Sequence, residues 1–339
     1  MINSIRIGQK VISSRSNKVF VIAEAGVSHF GSLKKGRKLI DLAVSAKADA
    51  VKFQSYITEE LVHYKFKKWF DRLKLKEVNF NFIKSLKKYA DKKGIIFLCT
   101  PHTETAVDWL KSLNLVAYKI GSGEIGNFEF LKKIIKLRKP MIVSTGMHST
   151  KELKKLKLFF SKEKYKKVIF LKCNSQYPTP DREINLKSFV TFKKIFKNNL
   201  VGYSDHTNHD LAIIGSITYG ARVVEKHISL DFNVKNAQDW KVSFNKKGLE
   251  EMVKTIRKIE EILGLDEIKV SSNEKKSKIW ATKSIFAKRK IYPGEKISLK
   301  NVKFQRPGNF LNCSEFNKIN NRKVSKLIKT NQAIKLNDF

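Results

Sequence analysis

Two apolar runs of this chain end on ionisable side chains. "LVGYSDH" closes on Ser204, Asp205 and His206, and "ARVVEKHI" carries Glu225, Lys226 and His227. If the two runs are neighbouring parallel strands, about 4.8 Å apart, His206 and His227 can meet one divalent metal. Two imidazoles with no cysteine describe an open catalytic site, completed by water and substrate. Glu225 or Asp205 could then orient the rings. The bland reading is a pair of histidines bonded to backbone, and the pattern alone supports both equally.

Lys52 and Lys119 form a second constellation, each inside an apolar run. Inward lysines suit either an anion clamp or a Schiff base. The hydroxyls Thr100, Ser122, Ser144 and Ser175 fall at the ends of similar runs, which tilts the choice toward an anion. Gln54 alternates with Lys52 and so shares its face. Glu24 and Glu124 add acidic groups at comparable places, as Glu225 does. Burying such groups without partners costs about 1–3 kcal/mol each. A shared, ligand-filled polar mouth explains all of them together.

The elements that must position these residues recur regularly. Strand-length runs occupy 20–26, 50–56, 94–101, 115–122, 140–146, 167–173, 200–206 and 221–228, with amphipathic helical patterns between them. They are rich in Val and Ile and apolar on both faces, as buried parallel strands are. Eight strand–helix repeats predict an α/β fold, a (β/α)8 TIM barrel, with catalytic groups at the C-terminal strand ends. An open doubly wound sheet is the second choice, but "AEAGVSHFG" fits its glycine fingerprint poorly. The barrel is expected over 1–265. A polar linker follows over 266–282, and a small turn-rich domain with Pro-Gly turns over 283–339.

Composition narrows the function. The chain has 339 residues and a formal charge of +38, mostly lysine spread over helical stretches. Such charge attracts anions, yet no compact arginine and aromatic platform is present. Specific nucleic-acid binding is therefore not expected. No apolar run reaches the ~20 residues of a membrane helix. The first residues lack an apolar signal core, and three scattered cysteines suit a reducing compartment, so a cytoplasmic protein with no membrane partner is expected.

At these residues the chain resembles a known family, the sialic acid (N-acetylneuraminate) synthases and related nonulosonic acid synthases. The matching stretches are "IAEAGVSH", "AVKFQSY", "TPHTETAVDWL", "YKIGSGE", "STGMHS", "QYPTP", "GYSDHT" and "VEKHISLD", in order along the barrel. "KSIFAKRKIYPGEKIS" and "FQRPGN" resemble that family's C-terminal antifreeze-like (SAF, β-clip) domain.

The resemblance implies condensation of phosphoenolpyruvate with the open-chain aldehyde of an N-acylated hexosamine. The products are a nine-carbon α-keto acid and phosphate, released by C–O cleavage. It implies Mn²⁺ or Mg²⁺ on His206 and His227. It implies phosphoenolpyruvate contacts at Lys52, Gln54, Thr100, Lys119, Ser122, Ser144 and Ser175, and catalytic positions at Glu24, Glu124, Glu225 and Lys52, the three glutamates serving for proton handling or for holding the sugar. Tyr177 and Asp239 would touch the acceptor sugar. Arg306 would reach the neighbouring subunit's site, making a domain-swapped homodimer.

Several positions depart from the family's usual residues. Ser28 stands where Asn is usual, Ser175 where Asn is frequent, His102 where Phe is common and Trp240 where His is frequent. The stretch "ITEELVHYKFKKWFDRLKLKEVNF" also differs from the expected acceptor loop. The sugar therefore stays open between N-acetylmannosamine and precursors of legionaminate- or pseudaminate-type acids. A Schiff-base aldolase acting through Lys119 and an inactive anion- or saccharide-binding barrel are the rival readings.

Overall fold

The computed structural model describes residues 4–234 and 237–339. The chain divides into two compact units, Met1–Gly264 and Leu265–Phe339.

The first unit opens with a hairpin, β1 (Ser4–Ile7) and β2 (Lys10–Ser13), paired antiparallel. Gly8 takes a φ of 55° in its turn, a conformation that costs glycine little. Eight strands follow: β3 (Phe20–Gly26), β4 (Ala50–Ser55), β5 (Ile96–Pro101), β6 (Tyr118–Ile120), β7 (Met141–Ser144), β8 (Val168–Cys173), β9 (Leu200–Asp205) and β10 (Val223–His227). They form one sheet in the order β5-β4-β3-β10-β9-β8-β7-β6, with parallel pairing throughout. The end strands β5 and β6 pack against each other, so the sheet nearly closes into the expected barrel.

Alternation of side chains decides which residues face where. One set, including Val21, Val51, Phe97, Val143, Phe170 and Val224, packs outward against the helices. The other set, including Phe20, Ile22, Leu98, Ile142, Ile169 and Val223, meets inside the barrel with Ile5, Ile7 and Ile12 of the hairpin. These inner residues mostly sit toward the N-terminal halves of the strands. The hairpin therefore fills the bottom of the barrel, and the polar residues gather toward the other end.

The crossover from β4 to β5 is the most elaborate. It holds α1's successors: after α1 (Leu33–Ser45) come α2 (Thr58–Leu61), α3 (Lys67–Lys74) and α4 (Phe80–Lys93), the last three all between β4 and β5. Ser32 caps α1 and Asn79 caps α4 through their side chains. No residue of α3 is buried.

The second unit contains β11 (Ser284–Ala287) and β12 (Val302–Gln305), an antiparallel pair. Around them lies a small core of Ile285, Ile291, Ile297, Ile319, Val324, Ile328 and Ile334. The stretch expected as a plain linker carries a helix, Ser272–Ala281, closed by a capping box between Ser271 and Glu274. None of its residues is buried, so no apolar period marks it in the sequence. No helix among the described residues is long and apolar enough to cross a membrane.

Candidate active site

A cavity of about 340 Å³ opens at the C-terminal ends of the strands. Each barrel strand sends at least one polar side chain or thiol into it: Glu24 from β3, Lys52 and Gln54 from β4, Thr100 from β5 and Lys119 from β6. Ser144 comes from β7, Cys173 from β8, Ser204 from β9, and Glu225 and His227 from β10. The same two-residue period that packs the interior brings these groups together.

At its floor lies a buried charge network. Lys52 Nζ sits 3.1 Å from Glu24 Oε2 and 3.1 Å from Glu225 Oε2. Lys119 Nζ lies 3.4 Å from Glu225 Oε1 and donates to Ser144 Oγ at 2.7 Å. Ser204 Oγ donates to Glu225 Oε1 at 2.9 Å, and Gln54 Nε2 donates to Glu24 Oε1 at 2.8 Å.

The two carboxylates part company electrostatically. Burial pushes Glu24 up to about 7, with Lys52 pulling against it and the negative Glu225 adding to it. Burial works on Glu225 as well, but Lys119 and Lys52 outweigh it and hold that carboxyl below its ordinary range. Burial brings Lys119 down to about 8, whereas Glu225 and Glu24 overcome burial at Lys52 and hold it above its ordinary value. Glu24 thus exchanges a proton near neutrality while Glu225 stays ionised, the separation that lets two like groups serve as proton carrier and fixed charge.

Beside the lysines is a hydroxyl cradle. Thr100 Oγ1 is buried with no hydrogen-bond partner among the described residues. Ser122 Oγ accepts from the Gly146 N–H at 2.8 Å. A Cβ on Gly146 would stand 2.2 Å from Ser175 Oγ and 3.0 Å from Ser122 Oγ, so this position must stay glycine for the cradle to exist. Two cations and these hydroxyls can hold a phosphate or a carboxylate.

The rings of His206 and His227 lie 5.2 Å apart, with Tyr177 stacked on His206 at 4.1 Å and edge-on to His227 at 5.8 Å. His206 Nδ1 is engaged by the Asn174 carbonyl. That backbone bond would leave Nε2 as the nitrogen a metal could use. His227 Nδ1 is buried without a partner among the described residues, and burial, then His206, keep this imidazole well below its ordinary pKa. A neutral histidine with an unanswered buried nitrogen beside a second imidazole fits a metal. Among the described residues no third His, Cys, Asp or Glu joins the pair to complete a cluster. Such a metal would keep most of its positions open.

The remaining wall faces outward. Tyr177, Gln238 and Asp239 line one part, and Trp69, Arg72 and Leu73 of α3 line another, with Lys76 just beyond that helix. Burial raises Asp239 and lowers Lys76 from their ordinary values. Trp69, Arg72, Leu73 and Lys76 follow a helical three-four-seven spacing. That spacing is readable in the sequence, although nothing there says the face looks into the barrel.

Two expected residues lie elsewhere. Glu124 belongs to a short turn, Ser122–Glu124, beyond the end of β6; its Oε2 accepts from Asn127 Nδ2 at 2.7 Å, and it does not line the cavity. Alternation stops where β6 stops, so its place could not be read from strand spacing. Arg306 lies in the second unit, exposed, its guanidinium 5.3 Å from the Trp280 ring centre.

Comparison with known proteins follows the same division. The NeuB family model matches residues 39–268, and the SAF domain model matches residues 282–339. Uncharacterized protein MJ1065 of Methanocaldococcus jannaschii is 38% identical, over 94% of this chain and 94% of its own length. A pseudaminic acid synthase of Campylobacter jejuni is 36% identical, over 95% of this chain and 97% of its own. Among solved structures, the N-acetylneuraminic acid (sialic acid) synthetase of Leptospira borgpetersenii superposes with a TM-score of 0.75 at 31% identity, covering 81% of this chain and 94% of that one.

Proposed function

The chain belongs to the NeuB family and ends in a SAF domain, and from that premise we propose that it condenses phosphoenolpyruvate with an N-acyl hexosamine. The product is a nonulosonic acid. The observation that carries this reading is the single cavity in which the Lys52–Lys119 cradle, the His206–His227 pair and the divided carboxylates Glu24 and Glu225 meet.

In this reading Lys52, Lys119, Gln54, Thr100, Ser122, Ser144 and Ser175 hold phosphoenolpyruvate. C3 of phosphoenolpyruvate bonds to the aldehyde carbon of the open-chain sugar. Water then adds at C2, and the C2–O bond breaks to release inorganic phosphate and the keto acid. Glu24, poised near neutrality, takes the proton of the attacking water. Glu225 stays ionised and fixes both lysine charges. His206 and His227 would hold Mn²⁺ or Mg²⁺, which when bound supplies Lewis-acid polarisation of the aldehyde oxygen. Tyr177 and Asp239 would position the acceptor, and Arg306 would complete the site of a second subunit in a domain-swapped homodimer.

Lys119 gives the Schiff-base alternative its one specific support, because burial lowers it to about 8, within the range of nucleophilic lysines. Its hydrogen bond to Ser144 and its approach to Glu225 favour an anion-binding role instead. The test is turnover of phosphoenolpyruvate carrying heavy oxygen in its C–O–P bridge, with Mn²⁺ and a panel of N-acyl hexosamines. The expected result is label in the released phosphate and a nine-carbon keto acid by mass spectrometry. Label retained in the organic product would refute C–O cleavage. A borohydride-trapped adduct on Lys119 would replace this reading with the aldolase.

A further inference from the structure

His102 follows Pro101, the last residue of β5, and its imidazole lines the same cavity as Thr100, Lys52 and Lys119. Its place is fixed on two sides. The His102 backbone N–H donates to the Ser55 carbonyl at 3.0 Å, tying it to the end of β4. On the other side, its Cε1 lies 3.1 Å from where a Cβ on Gly121 would stand, so the glycine after β6 leaves the ring close against the backbone. The Tyr56 ring meets it edge-on at 6.4 Å. With its position so determined, the ring makes no side-chain hydrogen bond to any described residue.

Both ring nitrogens can bond a partner, and neither is among the buried atoms left without one, so both are open to the cavity. Burial first, then the charges of Lys52 and Lys119, lower His102 to about 4, so it is neutral at physiological pH and offers one N–H and one acceptor nitrogen. An acceptor nitrogen has no use for an anion, but an N–H does, and a charge-assisted hydrogen bond is stronger than a neutral one. Phenylalanine of the same shape would fill the space beside Gly121 and supply no donor.

We propose that His102 determines affinity at the phosphoenolpyruvate end of the cavity by donating its ring N–H to an anionic oxygen of that substrate. The proposal rests on the phosphoenolpyruvate reading given above. It adds to the cradle an imidazole donor, supplied by the residue immediately after the strand.

The test measures phosphoenolpyruvate binding calorimetrically, with Mn²⁺ and without sugar, for the wild type, His102→Phe and His102→Gln. His102→Phe keeps a ring against Gly121 and removes the donor; His102→Gln keeps a donor. The expected result is a Kd for phosphoenolpyruvate about tenfold weaker in His102→Phe, the size of a lost hydrogen bond to a charged group. His102→Gln should recover most of that loss. In steady state the KM for phosphoenolpyruvate should rise while the KM for the sugar holds, with equal melting temperatures in all three proteins. A purely packing role would move the melting temperature and leave the Kd unchanged, and that result overturns the proposal. Wild-type protein that binds no phosphoenolpyruvate would instead overturn the function proposed above, and this inference with it.

Discussion

The two walls of the cavity are built differently. The end proposed to hold phosphoenolpyruvate is built mainly on strands: Glu24, Lys52, Lys119 and Glu225 have side chains at most 5% exposed and are joined by charge contacts. The outer wall, which we take to meet the acceptor, includes α3, which buries no residue, and Trp69 is 55% exposed there. The strand ends are held by the sheet: the six inner strands are hydrogen bonded on both sides, and the end strands β5 and β6 pack against each other. A helix carried on a crossover is held mainly by its own turns. The reaction should therefore be fixed by the first wall and the choice of sugar by the second, as is common where loops decorate a barrel.

The largest effect should come from the histidine pair. His227→Ala is expected to reduce phosphate release by about a thousandfold, since Lewis-acid polarisation is worth several kcal/mol and each 1.4 kcal/mol is about tenfold. Circular dichroism should show an intact fold. Full activity in this variant would remove the metal from the account.

Glu24→Gln should lower kcat by about a hundredfold or more, the usual contribution of a positioned proton carrier. It should also abolish the activity limb that rises with pH through about 7. Stability supplies an independent check. The folded-state value of Glu24 lies above its ordinary 4.5, so the native protein holds this proton where the unfolded chain has lost it. The contribution is fully present below 4.5 and is lost as pH rises toward about 7. The wild-type melting temperature should fall across that window relative to Glu24→Gln; parallel curves would place the Glu24 titration elsewhere.

Changes on the second wall should be smaller and selective. Lys76→Met should change the KM for the sugar by about three- to tenfold, an effect of about 0.5–1.5 kcal/mol typical of one polar contact. The KM for phosphoenolpyruvate should stay constant. Equal changes in both constants would erase the distinction between the walls. Arg306→Ala should weaken use of the sugar more than use of phosphoenolpyruvate, and an unchanged KM for the sugar would take the second unit out of the site.

Legibility in the sequence follows the same physical line. The strands, and the polar residues at their ends, show through because a parallel barrel strand is a short apolar run whose side chains alternate. Lys52 with Gln54 and Glu225 with His227 could thus be assigned to one face each, and all four line the cavity. Beyond the last strand residue that rule need not hold: Glu124 turns to Asn127, whereas His102, two residues past Thr100, keeps that residue's inward parity. Two further elements escaped for lack of signal. The hairpin of β1 and β2 has strands of only four residues each, and the helix Ser272–Ala281 has no buried face to impose a period. The face of α3 has the period, but its direction depends on tertiary packing.

The most direct test of the account is phosphate release from phosphoenolpyruvate with a panel of N-acyl hexosamines, with and without EDTA. The account predicts release that requires one class of sugar, stops with chelator and returns on addition of Mn²⁺. Release that ignores the chelator, or folded protein that releases no phosphate with any sugar of the panel, would contradict it.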